Sequence, residues 1–163
     1  MLLFNQKNLA KIESWKARNG ITLLRISLGL VFTWFGILKF FPGLSPAEML
    51  AGRTISKLTF GYITPQYSMP LLAFWETLIG LGLITTYRLR ITLWLLYLQM
   101  IGTFLPFFFF FSETWTSHLF VPSLLGQYII KNIVLISSAI VIGATCDEGA
   151  LNSDPIVAQN PKQ

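Results

Sequence analysis

The chain has 163 residues, 53 % of them hydrophobic and 12 % charged, with a net charge of +5. That composition excludes an ordinary soluble domain. The single cysteine, Cys146, excludes an internal disulfide or an intramolecular CxxC relay, and the single histidine, His118, cannot build a His-rich metal or haem site.

Residues 1–19 place Leu2, Leu9, Ile12 and Trp15 near helical spacing with lysines between them. The pattern predicts an amphipathic helix lying on the membrane surface, with Gly20 letting the chain turn into the bilayer. Four stretches then approach the ~20 apolar residues needed to cross a hydrocarbon core: 21–41, 70–87, 91–111 and 124–144. A soluble all-α alternative would have to hide all four from water, and so short a chain has too little polar surface for that. The first stretch follows some twenty polar residues, holds Arg25 and Lys39, and lacks a cleavage pattern, so it reads as a retained span.

Between spans one and two, Ser45-Pro46-Ala47-Glu48 has the form of a capping box with proline at the first helical position. A short helix of about three turns on the outer face should follow, ending near Phe60-Gly61. Pro65 and Pro70 are expected to return the chain in extended form. Pro106 predicts a kink or early end of span three, ahead of the run 107–111 of phenylalanines and Trp115 at the interface. The expected architecture is all-α: an integral membrane four-helix bundle in residues 1–145, followed by a cytoplasmic tail, 146–163.

Lys7, Lys11, Lys16 and Arg18 precede span one, and Arg88 and Arg90 link spans two and three. The longer first link has only Arg53 and Lys57, and the link between spans three and four has no Lys or Arg. By the positive-inside rule both termini are cytoplasmic (N-in/C-in), and the basic residues orient the protein and touch anionic lipid rather than nucleic acid.

Arg25, Lys39, Glu76 and Lys131 lie within or at the ends of otherwise apolar spans, where charge is costly and points to a function or an interior partner. Arg25, Gly29, Phe32, Gly36 and Lys39 share one helical stripe, and the glycines allow close approach of a neighbour. Thr92, Leu96, Gln99, Thr103 and Pro106 form a seam on span three, Gln127, Lys131, Val134 and Ser138 one on span four, and Ala73, Glu76, Thr77 and Gly80 a small and polar face on span two. With the expected topology, Glu76 and Lys131 lie ~9–12 Å below the outer ends of their spans, near Lys39. Arg25 lies near the inner surface, within reach of lipid phosphates or of Asp147 and Glu148. Glu76 can pair with only one lysine, which leaves a positive charge over.

Two readings stay open for this cluster. It is a closed pair that fixes helix register. Or, with Gln127, Asn132, Tyr128, Trp34 and Trp75, it forms a polar pocket open to the outer leaflet, fit for a quinone or an anionic lipid head. There Glu76 would handle protons, Lys39 and Lys131 would hold the polar head, and the tryptophans would pack against it. No metal or covalently bound cofactor is expected. His118 and Cys146 are weaker candidates, for a proton step and for packing.

Three segments resemble the DoxX-like superfamily of small four-helix bacterial membrane proteins. They are Arg25-Ile26-Ser27 leading into Trp34-Phe35-Gly36-Ile37-Leu38-Lys39-Phe40-Phe41-Pro42, Glu76 followed by Ile79-Gly80-Leu81-Gly82-Leu83, and Gly126-Gln127-Tyr128-Ile129-Ile130-Lys131-Asn132. The resemblance covers most of residues 20–145. It implies a multi-pass protein of the bacterial inner membrane, in a functionally mixed group that includes a subunit linked to thiosulfate:quinone oxidation and members tied to oxidative or chlorine stress. By that likeness Arg25, Lys39, Glu76 and Lys131 are functional positions, while cysteine chemistry suggested for some redox relatives has no counterpart beside a lone Cys146. The resulting expectation is a redox-associated subunit that binds a quinone or similar amphiphile and works with lipids and a redox partner, a membrane complex or copies of itself. A non-catalytic scaffold or assembly subunit and a small-molecule or ion permease are the alternatives.

Overall fold

The computed structural model describes residues 2–45, 48–116, 118 and 121–146. The expected tail beyond Cys146, with Asp147 and Glu148, lies outside the described residues, as do Pro46 and Ala47. The described chain is helical: α1 Leu2–Leu38, α2 Glu48–Leu58, α3 Pro65–Thr85, α4 Leu89–Phe104, α5 Pro106–Phe109, α6 Phe111–Thr114 and α7 Leu124–Ala144. Four stretches are long and apolar enough to cross a membrane: Asn8–Leu38, Pro65–Thr85, Leu89–Phe109 and Leu124–Ala144. Their outward faces carry Trp94 at 73 %, Val134 at 65 % and Ile101 at 64 % exposure. So apolar an exterior suits lipid rather than water and points to a multi-pass membrane protein.

Helix α1 corrects the first expectation. It runs unbroken through Gly20, with no turn between a surface helix and a span. A helical glycine costs only about 0.5–1 kcal/mol relative to alanine, too little to break a long helix without a proline or a competing cap. The Asn19 side chain donates to Trp15 O at 2.9 Å and reinforces the same helical turn. Residues 8–18 are exposed on every side, so the start of α1 projects beyond the bundle along the helix axis.

The lead into α3 is also helical rather than extended. Thr64 is the extended N-cap residue, and its carbonyl accepts from the N–H groups of Tyr67 and Ser68, both at 3.0 Å. Pro65 falls in the first turn, where a missing N–H is harmless, so only Pro70 removes a ladder bond, that to the Gln66 carbonyl. Ahead of α2, the Glu48 carboxylate reaches back to Gly43 N at 2.7 Å rather than to Ser45, while the Glu48 N–H donates to Ser45 O at 3.1 Å. Beyond α2 the chain turns through Phe60 and Gly61 at φ 51° and 84°, the place predicted for its end.

Pro106 interrupts the third apolar helix as predicted. Without a proline N–H, Gly102 O accepts from Leu105 N at 3.3 Å, one residue short of α-helical spacing, and α5 restarts at Pro106. Helix α7 occupies the predicted 124–144 and is capped by Ser123, whose Oγ accepts from Gly126 N.

Helix α1 packs on α3, α3 on α4, α4 on α7, and α7 back on α1, closing a four-membered bundle, with α2 lying against α3 and α5. The core is built from Leu28 and Phe32 of α1, Ile79 and Leu83 of α3, Leu93, Leu96 and Met100 of α4, and Ala139 and Ile142 of α7. The α1–α3 contact is the closest. A Cβ on Gly36 would stand 2.6 Å from Thr77 Oγ1, and one on Gly80 would collide with Thr33 Oγ1. Each threonine therefore fills the other helix's glycine notch, the close-packing solution expected where no hydrophobic force draws helices together in lipid.

Candidate functional site

The glycine contact sets up the charged cluster. Because Gly36 brings α1 against the Glu76–Thr77 backbone of α3, Lys39 reaches the Glu76 carboxylate from one turn further on. Lys39 Nζ donates to Glu76 Oε2 at 2.6 Å, and its side chain and that of Glu76 are 8 % and 10 % exposed. The second carboxylate oxygen, Oε1, accepts from Gln99 Nε2 of α4 at 2.8 Å. Lys39 also lies 3.3 Å from Phe35 O. One carboxylate thus ties three spans, with both oxygens engaged and a formal charge that cancels inside the bundle. In this geometry each carboxylate oxygen of Glu76 already accepts a hydrogen bond from a neighbouring span.

Gln99 is the partner that sequence reasoning placed on the span-three seam without assigning it to the site. Its signal was present: it is the one carboxamide of that span and has the same helical phase as Thr92 and Leu96, which are buried.

Lys131 does not join the cluster. It is exposed on α7, with Nζ 5.4 Å from the centroid of the Tyr128 ring. Gln127 and Tyr128 are exposed beside it, and Asn132 is half-buried. Helix α7 turns Gly126, Ile129, Ala139 and Ile142 inward, so small and aliphatic residues, not the polar stripe, set its rotation. Trp34 also points away from the cluster at 69 % exposure. Trp75 is half-buried, and its Nε1 lies 3.4 Å from Leu95 O, linking α3 to α4. The expected pocket of Lys39, Lys131, Gln127, Tyr128, Asn132, Trp34 and Trp75 is therefore not assembled within this chain.

Arg25 makes a contact within the bundle that the sequence did not indicate. Its Nη1 donates to Leu83 O and, at 2.9 Å, to Ile84 O, two carbonyls of the last turn of α3. Those carbonyls have no partner within the helix, and a cation is favoured at a helix C-terminus. Arg25 thus closes α3 just before the left-handed Thr86, at φ 61°.

Two surface grooves flank these residues. One, of about 220 Å³, is lined by Trp75, Gln99, Ser68, Leu71, Leu72 and Leu98, with Ile55 and Ile63; its polar point is the Gln99 amide that also holds Glu76. The other, of about 540 Å³, includes Arg53, Lys57, Phe60 and Phe110. There Arg53 forks onto Glu113 with N–O distances of 2.9 and 2.7 Å, joining α2 to α6. The guanidinium lies 4.3 Å from the centroid of Phe110. The hydrogen bonds from Arg53 hold the Glu113 carboxyl below its ordinary range, and Glu113 in turn raises Arg53.

His118 is exposed, and Cys146 Sγ lies 3.8 Å from Ile142 O. Among the described residues no three His, Cys, Asp or Glu side chains gather as metal ligands would. Compared with known proteins, the chain matches no family model, no curated protein and no solved structure, so the grounds for a function are the residues and contacts described above.

Proposed function

We propose that this chain is a non-catalytic scaffold or assembly subunit of a bacterial inner-membrane complex, with both termini cytoplasmic. The observation that supports this reading is the Lys39–Glu76–Gln99 contact: a buried carboxylate with a cation on one oxygen and a carboxamide on the other ties three spans together and suits a role in helix register. The DoxX-like resemblance of spans one, two and four fits such a subunit, and the basic residues before α1 and between α3 and α4 support the orientation.

A second reading keeps a quinone or similar amphiphile as ligand and a redox protein as partner. It rests on the groove beside Trp75 and Gln99, whose walls are apolar around one carboxamide. Purification in mild detergent, solvent extraction and chromatography of the extract separate the two. The scaffold reading predicts no quinone in stoichiometric amount, with or without Gln99→Leu. Stoichiometric quinone that is lost in Gln99→Leu, in protein that remains folded, would establish the amphiphile site instead.

A further inference from the structure

The cation left over in the sequence has a definite place in the structure. Lys131 lies seven residues into α7, ~10 Å from the start of that span at 1.5 Å per residue, and faces outward. The Tyr128 ring covers it on one side, but a ring face is not a counter-charge. Of the two carboxylates in the described spans, Glu13 lies toward the start of α1, at the opposite end of the bundle, and Glu76 is taken by Lys39 and Gln99. A charged amine in a span is costly unless something pairs with it. Gln127 is exposed one turn nearer the start of α7, and Ser138 continues the same stripe two turns beyond Lys131. The outward face of α7 thus carries Gln127 and the cation on one stripe with Val134 and the half-buried Ser138, on a helix whose other outward residues, such as Ile130, Ile133 and Ile140, are apolar.

We infer that this stripe is the docking face for a membrane helix of another protein that carries a carboxylate at the depth of Lys131. A second copy of this chain fits poorly. Two-fold pairing through α7 would set Lys131 against Lys131. Of the described carboxylates, Glu48 and Glu113 are engaged by Gly43 and Arg53. Glu13 lies ~18 Å beyond Arg25 along α1, at the opposite end of the bundle. A lipid phosphate would have to reach ~10 Å below the start of α7 to meet the amine, a depth at which a carboxylate on a membrane helix is already held. The inference rests on the membrane-subunit reading and adds the chemistry of the partner.

The test uses the full chain, labelled with a donor fluorophore on its C-terminal tail and reconstituted into phosphatidylcholine vesicles. The probe is a leucine-rich 21-residue membrane helix bearing one Glu at the matching depth, with a Gln version as control. Energy transfer should show the Glu helix associating about tenfold more tightly than the Gln helix, the scale of an interhelical polar contact in lipid. Lys131→Arg should retain the preference and Lys131→Met should lose it, with helix content unchanged. Equal association of the two probes, or a preference that survives Lys131→Met, would overturn the inference. So would Lys131-dependent association with anionic lipid alone, or self-association that depends on Lys131. Protein that inserts and folds but shows no preference rejects the partner chemistry only. Protein that does not insert rejects the membrane-subunit reading itself.

Discussion

Gly36 and Gly80 are positions where one added methyl group decides whether two helices can touch. The space a Cβ would need is occupied by Thr77 and Thr33, with backbone atoms close behind, so the neighbour cannot simply rotate away. Gly36→Ala and Gly80→Ala should each destabilise the protein by about 1–3 kcal/mol, the range for overpacking a tight contact, read as a lower unfolding midpoint in detergent. Gly102, around which nothing stands within 4 Å, is the control. Gly102→Ala should be neutral or stabilising by up to about 1 kcal/mol, the helix-propensity gain. The glycine stripe on span one was legible in the sequence, because steps of three and four reveal a shared face whatever it packs against. That Thr33 and Thr77 would be the matching knobs was not. Their hydroxyls are buried without a hydrogen-bond partner among the described residues, and sequence patterns anticipate satisfied groups.

At the scale of elements, length and apolarity read well and helix ends read poorly. The fourth span was placed to the residue because Ser123 caps it and apolar residues fill it. The first was not, because a lone glycine was given the power to turn a helix. If α1 is continuous, Gly20→Ala should raise helix content slightly and stabilise by about 0.5–1 kcal/mol. A turn at Gly20 would make the same change destabilising, and circular dichroism with thermal unfolding distinguishes the two. The rotation of α7 was illegible for a related reason: a polar stripe and a small-residue stripe both have helical period, and packing chose the small one. The link between α2 and α6 carries a pH dependence of known sign. Glu113 is held below its ordinary carboxyl range by Arg53, so the clamp is at full strength above the ordinary value, near 4.3. It is lost as pH falls through the lowered one. Amide protection in α2, the intrinsic exchange rate at each pH divided by the observed one, should therefore fall on acidification, with a step that Glu113→Gln abolishes. An unchanged step in that variant would assign the titration to another carboxylate.

For the whole molecule, charge is the organising quantity. The sequence alone showed three cations and one carboxylate in apolar surroundings, and topology placed Lys39, Glu76 and Lys131 at a similar depth. Depth along the bundle axis says nothing about which way a side chain points around a helix. The structure separates the charges by direction: Lys39 inward to Glu76, Arg25 onto the end of α3, Lys131 outward. The interior of the bundle is then neutral, and the surplus positive charge belongs to its surface. This division is the central claim, and a double-mutant cycle on unfolding free energy tests it most directly. Lys39→Met and Glu76→Gln, alone and together, should show a coupling of about 2 kcal/mol, as groups in one buried network do. Lys131→Met with Glu76→Gln should be additive to within about 0.5 kcal/mol, as for residues that share no partner. A Lys131–Glu76 coupling as large as that of Lys39, or no coupling between Lys39 and Glu76, would contradict it.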